Sequence, residues 1–370
     1  MTERNSLAIV HEWLTTFGGA ERLLTEILKI YPEASLHALL HHAPSFKRTP
    51  LAGRKVTTSL MQFLPAVQKY YRYLLPLMPI AVKRMNLRGY KVVLSISHAV
   101  AHAVQTGEDQ VHIAYVCTPM RYAWHLEDNY LDAHRLNGLV TGWLARTLLR
   151  QMRAWDYRAA QRENHLLAVS NWTASQIERY WKREARVIYP PVDVERFAPE
   201  KERDHFYLFV SRLVPYKMGY QIAEGFNRLG LPLVIVGDGP EFARISKIAG
   251  PNIKLLGYQP DSLVTDLMNR AKAFVYMAIE DFGIAMAEAQ AAGCPVIAYG
   301  GGGAAEIVRD GETGLLYREQ TTVSMMEAVR QFESRASGFD GQSARQNAMR
   351  FSTSRFREEF TSFMKPFITG

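Results

Sequence analysis

The chain has 370 residues, 48% apolar and 22% charged, a balance that excludes an intrinsically disordered protein and a length that calls for two domains rather than one core. Two cysteines far apart in sequence, Cys117 and Cys294, exclude a disulfide framework and a cysteine-based zinc site. The net charge of +8 is unevenly held: residues 1–190 carry 24 Lys/Arg against 14 Asp/Glu (+10), and residues 191–370 carry 20 against 22 (−2).

In chain order, Met1 to Ser6 leads into the short apolar run Leu7–Val10, a buried strand and no signal peptide. His11 to Arg22 reads as a loop that opens a helix through Lys29, with Gly18-Gly19 at the turn. Residues 35–40, 90–96, 111–116, 165–169 and 185–189 read as further strands. Between Glu33 and Glu108 there is no acidic residue but ten basic ones, which points to an anionic partner for this half. Within it, Tyr73–Val82 is the longest apolar run, interrupted by Pro76 and Pro79 and too short to span a bilayer. Residues 189–204, rich in proline and charge, read as an interdomain linker.

The strand–helix rhythm then restarts. Strands are expected at 206–210, 231–236, 253–256, 273–277 and 296–299, with a helix to about Leu229 and a terminal helix over 351–367. Strands separated by helices pair in parallel through right-handed crossovers. The fold expected is therefore α/β, two doubly wound Rossmann-like domains facing across a cleft, divided as 1–190, 191–350 and a terminal helix 351–370 that packs back on the first domain.

Chemistry concentrates in the second half. Residues 278–298 read as a polar loop, a helix over 285–292 and a buried strand, with Phe282-Gly283 at the turn and Gly293 and Pro295 ending the helix. The free amides near Gly283 and Ile284 form a site for anionic oxygen, framed by Glu280 ahead of the helix and Glu288 within it. An ordinary amphipathic helix with a charged face gives the same spacing. Arg212 and Lys217 lie on the loop after the first strand of this half, two cations suited to a diphosphate, although isolated surface cations look alike. Gly237-Asp-Gly239 lacks the third glycine of a dinucleotide fingerprint, so NAD binding is weakly supported. Gly300–Gly303 offers backbone amides to an anion or a sugar hydroxyl, or is a plain flexible loop.

The two glutamates about Phe-Gly, the Arg–Lys pair and the glycine runs, in this order, resemble the retaining glycosyltransferases of family four, which have the GT-B fold. Two first-half stretches, His11 to Glu21 and Tyr115 to Trp124, resemble bacterial polysaccharide mannosyl- and rhamnosyltransferases. The resemblance covers nearly the whole chain. It implies that Arg212 and Lys217 hold the donor's pyrophosphate, that Glu288 binds its ribose, and that Glu280 orients its sugar. Gly18, Gly19, Gly237, Gly239, Tyr258, Phe282, Gly283 and Ile284 then border the donor, and residues 1–190 form the acceptor side. The family's usual glycine after the lysine is Met218 here, and a histidine common before Thr118-Pro119 is Cys117. His98, at a strand's end, is a possible substitute for that histidine or equally a core or capping histidine. Arg121 is assigned to an anionic acceptor.

The implied reaction is transfer of a hexose, mannose or a deoxyhexose favoured, from a GDP-linked nucleotide-sugar to a lipid-diphosphate-linked glycan, with retention. No cofactor and no metal is expected, because no Asp-x-Asp pair stands where one would hold magnesium. Tyr70, Tyr71 and Tyr73, beside an apolar stretch flanked by cations, fit an anionic membrane surface, or a core helix with basic ends. The expected place is the cytoplasm, at the inner face of the membrane. A nucleic-acid-binding protein fits the basic first half but not the phosphate-site motifs of the second, so nucleic acid is not expected. A catalytically inactive sugar-nucleotide binder is the other alternative.

Overall fold

A computed structural model of the chain describes residues 6–124, 127, 131–132, 138–198, 202–335 and 338–369. The chain divides into two compact units, Met1–Pro191 with Phe356–Gly370, and Val192–Arg355. Each unit is an α/β layer structure built on one parallel sheet.

The first unit begins with β1 (Leu7–Leu14), α1 (Gly19–Ile30), β2 (Ser35–His41) and β3 (Val56–Thr58). Short 3-10 turns lead to α2 (Met78–Lys83), β4 (Val92–Ser97) and β5 (Val111–Val116). Then come α3 (Leu139–Ala160), β6 (His165–Ala168), α4 (Asn171–Trp181) and β7 (Arg186–Val187). The sheet order is β3-β2-β1-β4-β5-β6-β7 with every pair parallel, so the order reverses at β1. Near-continuous apolar runs such as Leu7–Val10 and Val92–Leu94 form these strands because both faces are covered.

The second unit holds β8 (Tyr207–Val210), α5 (Gly219–Leu229), β9 (Leu233–Val236), α6 (Phe242–Ile248), β10 (Ile253–Leu255), α7 (Asp261–Arg270) and β11 (Ala273–Tyr276). It continues with α8 (Ile284–Ala291), β12 (Val296–Tyr299), α9 (Ala304–Ile307), β13 (Gly314–Tyr317), α10 (Thr322–Arg335) and α11 (Gly341–Ala348). Its order is β10-β9-β8-β11-β12-β13, again all parallel and reversing at β8. The last helix, α12 (Thr353–Thr369), starts in this unit and runs on into the first. There it buries Phe356, Phe360 and Met364, with Phe360 stacked on Tyr115.

Four features differ from expectation. β1 runs on to Leu14, so His11 and Glu12 are strand residues, buried in the sheet rather than in a loop. β3 and β13 were not expected: β3 is three residues at a sheet edge, and β13 follows a glycine-rich turn that reads as loop. Of the expected linker, Pro199–Lys201 lie outside the described residues. Its first part is packed structure, not a solvated tether: Val192, Val194 and Phe197 are buried and Val192 pairs with Ser352. Arg203, further on, donates to the carbonyls of Met268, Asn269, Ala271 and Ala292, closing the ends of α7 and α8.

Candidate functional site

In open parallel sheets ligands meet the carboxyl ends of strands where the order reverses. In the second unit that place is between β8 and β11. The loop after β8 carries Arg212 and Lys217, and the loop after β11 carries Glu280. Lys217 Nζ is paired with Glu280 Oε1, and the Tyr276 hydroxyl donates to the same oxygen. Ser211 Oγ lies 3.2 Å from that hydroxyl. Burial, followed by the Glu280 charge and hydrogen bond, pushes the Tyr276 phenol well above its ordinary value, so it stays a donor. Arg212, exposed, donates to the Tyr216 hydroxyl at 3.2 Å, while Lys217 Nζ stands 5.2 Å from the Tyr216 ring centre. Tyr216 thus links the two cations, and Arg212, Lys217 and Glu280 form one chain of contacts.

Backbone geometry makes this approach possible. A Cβ on Gly237 would lie 1.8 Å from the Ser211 carbonyl oxygen, and one on Gly239 would lie 2.4 Å from that of Leu213. Both residues therefore let the Arg212 loop pass close, and their amides are engaged by Gly257 O and Asp238 Oδ1. Met218 adopts φ 59°, ψ 27°, the left-handed conformation a glycine would favour, so the loop keeps its course with a side chain in place.

Gly283 caps α8, with Ile284 its first residue. Phe282 is buried with its ring against Phe351, which leaves backbone as what it offers a ligand. Gly300–Gly303 is not a free nest. Gly303 N–H donates to Glu280 O at 2.8 Å and Gly300 N–H to Tyr317 O at 2.9 Å, so the run braces the Glu280 loop. Further along α8, Glu288 accepts from Arg196 Nη2 at 2.7 Å; Arg196 lies over Phe197 and reaches Asp261 at 3.5 Å. Tyr258 is 80% exposed at the turn after β10.

The first unit has a matching place between β1 and β4. Glu12, fully buried on β1, accepts from Ser97 Oγ (2.9 Å) and from the backbone N–H groups of His98, Ala99, Val100 and Ala101. Its other oxygen lies 2.5 Å from His98 Nδ1. Burial opposes charge on Glu12, but His98 and these donors outweigh it and hold the carboxyl far below its ordinary range. Burial likewise opposes charge on His98. Glu12 and then Glu21 outweigh that and the opposing Arg121, so His98 titrates above 6.5. His11, buried beside it, is pushed down to about 4 by desolvation and by His98. The His98 side chain keeps 24% exposure. Cys117 N–H donates to Ser97 O, so Cys117 and His98 stand at neighbouring strand ends. Arg121 is half-buried on the following turn. The Gly18 amide is taken by Glu21 Oε2 at 2.8 Å, which closes the start of α1; Gly19 is its first residue.

Sequence reasoning missed Tyr276, Tyr216, Arg196 and Glu12. The signal for Tyr276 was its position four residues before Glu280 at a strand end; the others have none without the fold. The basic tyrosine segment divides: Tyr71, Leu75, Met78 and Val82 join the core, while Leu60, Phe63, Tyr73, Leu77 and Ile80 are exposed, Phe63 by 79%. Among the described residues no helix is long and apolar enough to cross a membrane.

Two parallel sheets of seven and six strands, each with its polar cluster at the reversal point, define the two-domain α/β architecture of GT-B glycosyltransferases. The solved structure of Anabaena Alr3699/HepE in complex with UDP superposes with a TM-score of 0.73 at 16% identity, covering 98% of this chain and 100% of that one. Residues 192–348 match the family model described as glycosyl transferases group 1. The uncharacterized glycosyltransferase MJ1178 of Methanocaldococcus jannaschii is 29% identical over 176 residues, 46% of this chain and 50% of that protein. The GDP-mannose-dependent alpha-(1-6)-phosphatidylinositol monomannoside mannosyltransferase of Mycobacterium tuberculosis is 29% identical over 233 residues, 52% and 58% of the two chains. The chain thus spans about half the length of these curated relatives.

Proposed function

We propose that the chain is a retaining glycosyltransferase that moves a hexose, mannose or a deoxyhexose favoured, from a nucleotide-sugar to a lipid-linked or oligosaccharide acceptor in cell-surface polysaccharide synthesis. The observation that carries this is the Lys217–Glu280–Tyr276 cluster at the sheet reversal of a unit that matches glycosyl transferases group 1. Negative charge develops on the departing diphosphate, and fixed cations with helix amides stabilise that charge more in the transition state than before it. Arg212, Lys217 and the amides about Gly283 and Ile284 supply it here, without a metal or other cofactor. Glu280, held by two donors on one oxygen, orients the sugar and stabilises positive charge at its anomeric carbon. Glu288, braced by Arg196, receives the ribose hydroxyls. A GDP-linked donor is favoured by the GDP-mannose-dependent relative, while the UDP bound by the Anabaena protein supports a nucleotide-sugar in general.

The first unit takes the acceptor, with His98 and Arg121 toward it. The exposed apolar residues Leu60, Phe63, Leu77 and Ile80, in a stretch with no acidic residue, support attachment to an anionic membrane surface at the cytoplasmic face.

The experiment is transfer of radiolabelled sugar from GDP- and UDP-sugars to a membrane extract. Lys217→Ala and Glu280→Gln each lower the rate at least 100-fold, roughly the loss of one transition-state contact of about 3 kcal/mol. Full activity in both variants would refute the assignment.

A further inference from the structure

A cavity of about 410 Å³ in the first unit opens beside the end of β1. Thr15 and Thr16 lie on one side, His42 at the end of β2, and Lys69, Tyr71 and Arg72 on the 3-10 segment that follows. It lies at the carboxyl ends of β1 and β2, one strand over from the reversal between β1 and β4, on the side of the sheet where open parallel sheets bind ligands. Its wall is built rather than accidental. The Tyr71 hydroxyl is 3.2 Å from Thr15 Oγ1 and accepts from Arg72 Nε at 3.3 Å, and the Tyr71 ring packs on Trp13 with centres 5.2 Å apart. Trp13 in turn meets His98 edge-on at 4.7 Å, so one indole joins the cavity wall to the His98 cluster. Among the described residues no carboxylate lines the cavity, and none occurs in sequence between Glu33 and Glu108.

We propose that this cavity binds the phosphate group of the acceptor, with Lys69 and Arg72 as its cations and Thr15, Thr16 and Tyr71 as its neutral donors. The proposal rests on the glycosyltransferase reading for the word acceptor, but not for the phosphate. Two cations, hydroxyl donors and no competing acid among the described lining residues are the composition that recognises phosphate oxygen. A neutral sugar alone would call for carboxylate and amide acceptors for its hydroxyls, which this wall does not supply beyond Gln68. The same segment carries Leu64 on one side and Leu77 and Ile80 on the other, all exposed. A phosphate seated here therefore has apolar surface next to it in sequence, as the headgroup of a lipid requires.

The test uses the full chain carrying Arg212→Ala and Lys217→Ala, which removes the phosphate-binding cations of the second unit. Farnesyl diphosphate and inorganic pyrophosphate are titrated into it calorimetrically, with and without Lys69→Gln and Arg72→Gln. Both of these side chains are exposed, so folding is retained. The pair weakens diphosphate binding roughly 100-fold, two charge-assisted contacts at about tenfold each. Farnesyl diphosphate binding at least tenfold tighter than pyrophosphate assigns the site to a lipid headgroup; equal binding assigns it to a free phosphate. Binding unaltered within twofold by the pair, or no binding of either probe, overturns the proposal. Nucleotide-sugar binding to the wild-type chain is scored separately: its absence counts against the donor reading and leaves the cavity result standing.

Discussion

Replacing His102 by leucine tests how much of the first unit rests on one buried cation. His102 is 1% exposed and gives Nδ1 to Glu163 at 2.8 Å and Nε2 to Asp156 at 2.9 Å, both carboxylates being fully buried. Asp156 Oδ2 also accepts from the indole N–H groups of Trp124 and Trp181, each at 2.7 Å, and Trp181 stacks on the His102 ring. The cluster joins α3 and α4 to the turn after β4. Desolvation alone would lower the His102 value, but its two carboxylate partners raise it from 6.5 to about 10. A rise of that size is worth roughly 5 kcal/mol, and removing one partner of a buried ion pair costs about 3–5 kcal/mol. Leucine keeps an apolar group against Trp181 and removes both N–H donors. The expected loss at pH 6 is about 4 kcal/mol, a fall in Tm of roughly 10 °C for a unit of this size.

The pH dependence separates charge from packing. A raised folded value gives stability that is fully present below pH 6.5 and lost as pH rises through about 10. The gap between wild type and variant therefore closes by about 1.4 kcal/mol per pH unit from pH 6.5 upward. Differential scanning calorimetry from pH 6 to 9 reads both quantities. A loss below about 1 kcal/mol at pH 6, or a gap that stays flat to pH 9, would show that His102 is packing and not a counter-ion.

Three further outcomes are expected. Gly303→Ala puts a Cβ 2.0 Å from the Phe282 carbonyl oxygen, so backbone must move; a loss of about 3 kcal/mol is expected in thermal unfolding, and an unchanged Tm would contradict it. Tyr276→Phe removes one of the donors on Glu280; kcat for sugar transfer falls roughly 10- to 100-fold with little change in donor KM, and an equal rise in KM at constant kcat would make Tyr276 a binding residue instead. Glu12→Gln removes the carboxylate that raises His98, whose ring-proton NMR titration moves down in pH; an unshifted midpoint would mean that Glu12 does not set the charge of His98.

The frame was legible because parallel sheets are buried on both faces: Val296–Tyr299 is a continuous apolar run, and Val111–Val116 is one but for His112, so both read as strands without help from context. Loop chemistry was legible where it depends on residue type, as at Arg212, Lys217, Glu280 and Glu288. It failed where meaning comes from a distant partner. Glu12 looks like a loop acid in a polar stretch, yet its partners lie 85 to 89 positions later in the chain. Arg196, taken as linker charge, meets Glu288 after 92 positions. The glycines at 300–303 read as open amides because sequence cannot show that Phe282 and Glu280 press against them.

The terminal helix carries one more consequence. Phe356, Phe360 and Met364 fill the core of the unit whose sheet is made first, while Tyr31 and His165 wait in that unit for Phe360 and Phe367. During synthesis the second unit has all of its strands long before the first has its last packing layer. The earliest-made half is thus the last to be sealed, since its closing helix is made after every strand of both sheets.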